Sequence, residues 1–251
     1  MPDDLIAPAS RIIDLPALRD ALFAACAEAT TEAEVRAIAV KMLSAARKDG
    51  REVIAGAFNE KPRAAFATTE AYAWLTDCIV RLVFDLATQR LHPLNNPTEG
   101  ERLTLMAVGG YGRGEMAPYS DVDLLFLTPW KITPWAESVI ESMLYILWDL
   151  KLKVGHASRT VKDCLRLGGE DYTIRTALLE TRYITGHEPL ARELENRLWE
   201  DLFKGSERAF VAAKLEERDQ RHRKQGLRYV VEPNIKEGKG GLCDLQSLYW
   251  I

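Results

Sequence analysis

The sequence is short of the residues that most metal and disulfide sites use. It has four cysteines and four histidines among 251 residues. The cysteines are widely spaced with no CxxC pair, and the histidines form neither an HExxH pair nor a His-Asp dipeptide. Because zinc sites favour close cysteine pairs and disulfide frameworks belong to oxidising compartments, we predict free thiols in a reducing compartment.

Long apolar runs and an excess of positive charge are also missing. No segment approaches the roughly 18 apolar residues of a membrane-spanning helix, and the N-terminus begins acidic, unlike a secretion signal. The formal net charge is −4, so no overall basic field attracts nucleic acid or an anionic membrane surface. We therefore expect a cytoplasmic protein with neither a membrane nor a nucleic-acid partner.

The residues that are present are those of a globular protein. Hydrophobic residues make up 47% of the chain and charged residues 28%, which excludes the disordered and fibrous classes. A chain of this length buries a substantial core as one large domain or two small ones.

Three regions of different periodicity follow one another along the chain. Residues 1–100 have apolar positions three and four apart, which predicts a helical leader, and Gly50 is a predicted helix stop. Residues 101–165 contain three short β-prone runs and one helical run. The pattern of residues 166–251 is helical again. The predicted fold class is therefore α+β, with a small mixed β-sheet flanked by the leader and a C-terminal helical bundle.

The most informative stretch runs from Val108 to Leu127 and reads VGGYGRGEMAPYSDVDLLFL. Asp121 and Asp123 lie two apart in a predicted strand, so their side chains share one face. Two adjacent carboxylates repel each other, and a divalent cation between them removes that repulsion. Mg²⁺ prefers such oxygen ligands together with substrate phosphates. The aspartate pair is therefore the predicted metal and catalytic site.

A glycine turn precedes the two acids. Gly109 and Gly110 have no Cβ, so their backbone NH groups can approach a phosphate closely, and Arg113 offers a charged planar fork to phosphate oxygens. Either feature alone is usually a surface turn or a solvated strand edge, but together between two strands they predict phosphoryl or nucleotidyl transfer. The P-loop and Rossmann fingerprints are excluded, since no GxxxxGK[ST] occurs and no crossover helix follows the glycines.

On these residues the chain resembles the polymerase β-type nucleotidyltransferase superfamily, in which a Gly-Gly or Gly-Ser turn precedes an Asp-x-Asp strand. The further segments LKVGHASRTV, LLETRYITG and PNIKEGKGGLCDLQSLYWI make it similar to the N-terminal part of the bifunctional uridylyltransferase/uridylyl-removing enzymes, which modify the PII nitrogen-signalling protein. This resemblance covers about residues 70–251.

The resemblance implies Mg²⁺-dependent transfer of UMP from UTP to a tyrosine of PII, with release of pyrophosphate. It assigns nucleotide and metal contacts to six residues: Gly109, Gly110, Arg113 and Ser120 for the triphosphate, and Asp121 and Asp123 for Mg²⁺. The family's UMP-removing and glutamine-sensing domains lie downstream. Since the chain has no His-Asp dipeptide and ends soon after a helix begins, we expect the front part of a longer protein, with transferase machinery only.

The sequence leaves several points open. The superfamily often has a third carboxylate on a later strand, where this chain has His156, so the third group is His156, Glu180 or neither. The glycine-rich segment 234–244 either caps the next helix or contributes to nucleotide binding. The basic run 221–224 is predicted to be a solvated helix face.

Two other functions are compatible with the motifs. One is nucleotidyl transfer with another nucleotide or acceptor, and the other is a non-catalytic module that senses nucleotides. The intact aspartate pair argues against the second function, since a decayed member of the superfamily is expected to lose a metal ligand.

Overall fold

The structure, a computed structural model, describes residues 4–224 and 234–251. Its centre is a four-stranded mixed sheet with strand order β3-β2-β1-β4. The strands are β1 Thr104–Ala107, β2 Val122–Thr128, β3 Val154–Thr160 and β4 Arg182–Gly186. Strand β1 is antiparallel to both β2 and β4, and β2 is parallel to β3. The predicted α+β class with a small mixed sheet is confirmed.

Helices precede, connect and follow the strands. The helices before the sheet are α1 Ala9–Ile12, α2 Leu15–Cys26, α3 Glu32–Glu60 and α4 Ala65–Leu86, followed by a π-helical turn, Ala87–Leu91, and a 3-10 turn, Glu99–Glu101. Those within and after it are α5 Gly109–Gly112, α6 Pro134–Asp149, α7 Val161–Glu170, α8 Tyr172–Leu179, α9 Glu188–Arg197, a π-helical turn Leu198–Phe203, α10 Glu207–Lys224 and α11 Leu242–Trp250. None of the helices in the described ranges is both long and apolar enough to cross a bilayer.

Helix α3 is longer than the sequence predicts. It begins at a capping box, in which the Thr31 hydroxyl accepts from the Glu34 backbone NH and the Glu34 carboxylate accepts from the Thr31 NH. The predicted stop at Gly50 is wrong, because the helix continues to Glu60. Gly50 is buried, and a Cβ there would lie 2.7 Å from the Ile12 carbonyl oxygen. This glycine allows α1 to pack closely on α3.

Strand β4 corrects the prediction of uninterrupted helix in residues 166–251. Its residues, RYITG, pair with β1, and Ile184 is buried. Pairing with β4 satisfies the hydrogen-bonding groups on the open edge of β1, which outweighs the helical periodicity of this stretch. The sheet therefore takes one strand from the region 166–251, which the sequence had assigned to helices.

The sheet separates two apolar clusters. Successive residues of a strand face opposite sides. Leu124 packs with residues of the leader helices and α6, whereas Met106 and Leu125 pack with residues of α7, α8 and α9. Asp123 lies two residues before Leu125 and so shares the second face, at the end of β2 nearest the glycine turn.

Candidate active site

The glycine turn folds against Asp123. It forms the four-residue helix α5, which begins at Gly109 with a φ of +59°, a left-handed conformation that favours glycine. A Cβ at Gly109 would lie 3.7 Å from Asp123 Oδ2, and one at Gly112 would lie 1.7 Å from the Glu180 carbonyl oxygen. The turn is thus packed between Asp123, the predicted metal ligand, and the end of α8. Only glycine fits at position 112.

The aspartate pair has the electrostatics of a cation site. Asp121 is exposed just before β2, and Asp123 is half-buried within it. Burial and then the charge of Asp121 raise the pKa of Asp123, while the charge of Lys236 lowers it. No cluster of three or more His, Cys, Asp or Glu residues suited to a metal occurs in residues 4–224 and 234–251. Two carboxylates alone fit Mg²⁺, which takes its remaining oxygens from water and phosphate.

Gly155 gives the Asp123 carboxylate its space. The two residues are register partners on β3 and β2. A Cβ at position 155 would lie 2.3 Å from Asp123 Oδ1, which is far inside van der Waals contact. Gly155 was not among the predicted site residues, although a glycine inside a β-prone run is a known sign of close backbone approach.

Gly155→Ala is therefore expected to displace the Asp123 carboxylate and weaken Mg²⁺ binding about 10- to 100-fold, as loss of a residue that orients a metal ligand does. Titration of Mg²⁺ against activity measures this change. Gly56→Ala is the matched control, since a Cβ at Gly56 meets nothing within 4 Å. An unchanged Mg²⁺ requirement in Gly155→Ala would contradict the proposed role of the carboxylate.

A cleft opens beside Asp123 on the same face of the sheet. Its volume is about 310 Å³, and its lining includes Gly109, Asp123, Gly155, Arg159 and Thr173. Arg159 lies four residues after Gly155 in β3, so both face the cleft side. Within the described residues the Arg159 guanidinium donates no hydrogen bond and forms no ion pair. Arg159 was not among the predicted site residues, because the residues considered on this strand were acids and His156.

Arg113 lies beside the glycine turn but is held by acids. Its Nη1 donates to Glu180 Oε1 at 2.6 Å and its Nε to Glu115 Oε2 at 3.2 Å. Burial, the largest single influence, lowers the pKa of Arg113, but the hydrogen bonds and charges of Glu180 and Glu115 together raise it above its ordinary value, so the guanidinium stays charged. A Cβ at Gly110 would lie 3.6 Å from Arg113 Nη2, which places that nitrogen at the turn. Nη2 has no partner in the part of the chain that the structure describes.

Neither candidate for the third catalytic group is well placed. His156 borders the cleft, but it is the register partner of Leu124 and so projects from the opposite face of the sheet to Asp123, and its ring packs edge-on against Trp148 with centroids 6.5 Å apart. Glu180 is buried and accepts from both Arg113 Nη1 and Trp250 Nε1. The geometry therefore favours neither His156 nor Glu180 as a general base.

Ser120 closes the turn that leads into β2. Its hydroxyl accepts from the Ala117 NH at 2.9 Å, and its own NH donates to the Ala117 carbonyl oxygen at 3.1 Å. These bonds fix the chain immediately before Asp121. The predicted phosphate contact of Ser120 is untested by this geometry, which gives the residue a local structural role.

The segment that begins at Asn234 both caps α11 and adds charge to the site. Asn234 Oδ1 accepts from the NH groups of Lys236 and Glu237, and the carbonyl oxygens of Ile235 and Lys236 accept from the first NH groups of α11, those of Leu242 and Cys243, at 2.9 Å each. The positive charge of Lys236 lowers the pKa of Asp123, so this segment contributes charge to the site. The two alternatives that the sequence left open for this segment are thus compatible.

The basic run at the end of α10 is partly buried against this segment. Arg221 Nη2 donates to Asp244 Oδ1 at 2.6 Å, and His222 Nε2 lies 2.9 Å from Asp244 Oδ2. The prediction of a solvated face is wrong for Arg221 and His222. The position of Asp244 opposite the basic run is set by the tertiary fold, so local periodicity does not reveal these contacts.

A buried cluster of Asp77, Tyr111 and Arg182 holds the glycine turn against helix α4 and strand β4. Tyr111 donates its hydroxyl to Asp77 Oδ1 at 2.7 Å, and Arg182 donates to both Asp77 oxygens at 2.7 and 3.0 Å. Arg182 also donates to the carbonyl oxygens of Tyr111 at 3.2 Å and Gly112 at 3.1 Å. Helix α4 and strand β4 thereby hold the turn in place.

Comparison with known families agrees with this geometry. Residues 97–184, which contain the glycine turn, both aspartates and β3, match the family model described as a nucleotidyltransferase domain. This stretch of the chain is therefore similar to nucleotidyltransferase domains. Residues 209–251 match the model described as GlnD PII-uridylyltransferase. The second match includes α11 and the segment that carries Lys236.

Curated relatives share one description. Two similar proteins are each described as a bifunctional uridylyltransferase/uridylyl-removing enzyme. The protein from Ruegeria pomeroyi is 62% identical to this chain over 240 residues, and the protein from Cereibacter sphaeroides is 61% identical over 250 residues. The first match covers 96% of this chain and 26% of the relative, and the second covers 98% and 27%. The chain therefore spans about a quarter of the length of these relatives. The predicted resemblance is confirmed.

Proposed function

We propose that this chain transfers UMP from UTP to a tyrosine of the PII nitrogen-signalling protein and releases pyrophosphate. The observation that carries the proposal is the contact between the glycine turn and the metal-ligand pair, where a Cβ at Gly109 would lie 3.7 Å from Asp123 Oδ2. The match of residues 209–251 to the GlnD PII-uridylyltransferase model supports the choice of UTP and PII.

Different residues of the chain would bind the phosphates and the metal ion during nucleotidyl transfer. Backbone NH groups of Gly109 and Gly110 would receive the phosphates, and Asp121 and Asp123 would hold Mg²⁺. When bound, Mg²⁺ neutralises phosphate charge and orients the reacting phosphorus. The tyrosine hydroxyl releases its proton to solvent and its oxygen forms a bond to the α-phosphorus, while the bond from that phosphorus to the bridging oxygen breaks, so pyrophosphate leaves.

The cations around the cleft suit a triphosphate. Arg159 lines the cleft, Arg113 Nη2 lies at the glycine turn and the charge of Lys236 reaches Asp123. A nucleoside triphosphate brings several negative charges into a site that already has two carboxylates, so positive side chains are needed on the far side of the phosphates. These three residues meet that need.

Arg159→Gln is expected to raise the KM for UTP about tenfold or more, because a charge-assisted contact to phosphate is lost from a partly enclosed site. The KM for PII is expected to stay within about twofold. Arg208→Gln, at an exposed arginine of α10, controls for loss of one positive charge. Equal UTP kinetics in wild type and Arg159→Gln would remove Arg159 from the nucleotide site.

A nucleotide and acceptor panel tests the proposed reaction. The chain is incubated with Mg²⁺, PII and each of UTP, CTP, ATP and GTP, and the intact mass of PII and the released pyrophosphate are measured. We expect one UMP on PII, with UTP preferred and equimolar pyrophosphate. Transfer from another nucleotide in preference to UTP would contradict the choice of substrate, and pyrophosphate release without modified PII would contradict the choice of acceptor.

A further inference from the structure

A second concentration of positive charge lies away from the nucleotide cleft. Helix α3 presents Arg47, Lys48 and Arg51 to an open groove of about 570 Å³, whose other wall includes Pro118 and Tyr119. Glu52 also lines the groove and lies 3.9 Å from Lys48, but both side chains are largely exposed, so this pair contributes little.

The two arginines of the groove lack acidic partners. Arg51 stacks over the Tyr119 ring, with its guanidinium carbon 5.1 Å from the ring centroid, and it makes no hydrogen bond or ion pair within the described residues. Arg47 donates a single hydrogen bond, to the Leu150 carbonyl oxygen at 3.2 Å. Burial and then the charge of Arg51 lower the pKa of Arg47. Two half-buried guanidinium groups thus repel each other, and an anion between them would relieve that repulsion.

The groove adjoins the metal ligands without being part of the nucleotide cleft. Arg47, Arg51 and Tyr72 also line a small adjoining cavity together with Ser120 and Val122. Asp121 stands between Ser120 and Val122 in the chain. Side chains alternate along β2, so Val122 lines this cavity while the next residue, Asp123, lines the nucleotide cleft on the opposite face of the sheet. A ligand in the groove would therefore lie near the start of β2, on the opposite face of the sheet from the reacting phosphate.

We propose that this groove binds an acidic segment of the protein acceptor and so positions the acceptor next to Asp121. The inference rests on the proposed function, and it adds a docking site for the second substrate. Positive charge selects an acidic segment by complementarity. Tyr119 is 82% exposed on the rim, and arginine and tyrosine are the side chains most enriched in protein contacts. The groove is open and has an aromatic wall, which suits a peptide segment.

The test compares steady-state kinetics of Arg51→Gln with wild type, varying PII and UTP separately. We expect the KM for PII to rise about tenfold, with kcat and the KM for UTP unchanged, because the lost charge contacts only the acceptor. Arg51→Lys keeps the charge and is expected to recover most of the affinity for PII. Arg208→Gln is the matched control and is expected to behave as wild type. Raised salt is expected to increase the KM for PII more in wild type than in Arg51→Gln.

The outcomes separate this inference from the proposed function. An unchanged KM for PII in Arg51→Gln and in Arg47→Gln would overturn the docking site while UMP transfer stands. A rise in the KM for UTP of equal size would also overturn it, by showing that the groove serves the nucleotide. If wild type modifies no PII, the proposed function fails, and direct PII binding to immobilised wild type and Arg51→Gln decides the docking site. Weaker binding by the variant supports the site, and equal binding overturns it.

Discussion

Asp123→Asn is expected to reduce the rate of UMP transfer on the order of a thousandfold. The substitution keeps the shape of the side chain and removes the charge that would hold Mg²⁺ against the α-phosphate. Metal stabilisation of transition-state charge is worth several kcal/mol, and a thousandfold corresponds to about 4 kcal/mol. Asp121→Asn is expected to have a similar effect, because the second ligand is lost from a site that has only two among the described residues.

Initial rates of UMP incorporation into PII, measured at several Mg²⁺ concentrations, check this result. Asp20→Asn is the control, since Asp20 is exposed on α2 and has no hydrogen bond or ion pair in the described residues. Full activity in Asp123→Asn at limiting Mg²⁺ would remove the aspartate pair from the mechanism. A lowered melting temperature accompanying the lost rate would instead indicate loss of fold.

Asp77→Asn is expected to lower the free energy of unfolding by about 3 kcal/mol. Asp77 is 5% exposed and balances the guanidinium of Arg182, whose side chain is 31% exposed. Removing the Asp77 charge leaves the Arg182 guanidinium unpaired in a poorly solvated environment. The partial exposure of Arg182 keeps the loss of stability at the lower end of the usual range. The glycine turn is also expected to loosen, because Arg182 holds the carbonyl oxygens of Tyr111 and Gly112.

Urea unfolding measures this loss, and Asp85→Asn on the same helix is the matched control. Asp85 pairs with Arg19 at 2.9 Å, but the two side chains are 26% and 39% exposed, so we expect a change below about 1 kcal/mol. If the two variants lose equal stability, the Asp77 cluster has no special role in the fold. A raised KM for UTP in folded Asp77→Asn is expected as well, since the turn is less well held.

Local sequence patterns predicted the parts of the site that lie close together in the chain. Strands β1 and β2 flank the glycine turn, so the contact between Gly109 and Asp123 followed from one stretch of sequence. Site residues that the fold brings in from distant parts of the chain were not predicted. Gly155 and Arg159 lie on β3, which reaches Asp123 only through parallel pairing across α6. The Asp77–Arg182 pair joins residues 105 positions apart.

The two errors of secondary structure have the same origin. Gly50 and the RYITG stretch were assigned from local propensity, and in both places tertiary contacts decided the outcome. Gly50 remains helical because α1 packs against it, and β4 forms because β1 offers an unpaired edge. Tertiary contacts of this kind leave no periodic pattern in the sequence, so local propensity does not predict them.

Position-specific labelling of UTP tests the central claim most directly. Wild-type chain, Mg²⁺ and PII are incubated with UTP labelled at either the α- or the γ-phosphate, and the label on PII is measured with and without the acceptor tyrosine. We predict that α-label appears on PII, that γ-label appears only in pyrophosphate, and that replacing the tyrosine by phenylalanine abolishes incorporation. Incorporation of γ-label, or no incorporation of either label, would contradict nucleotidyl transfer at the Asp121 and Asp123 site.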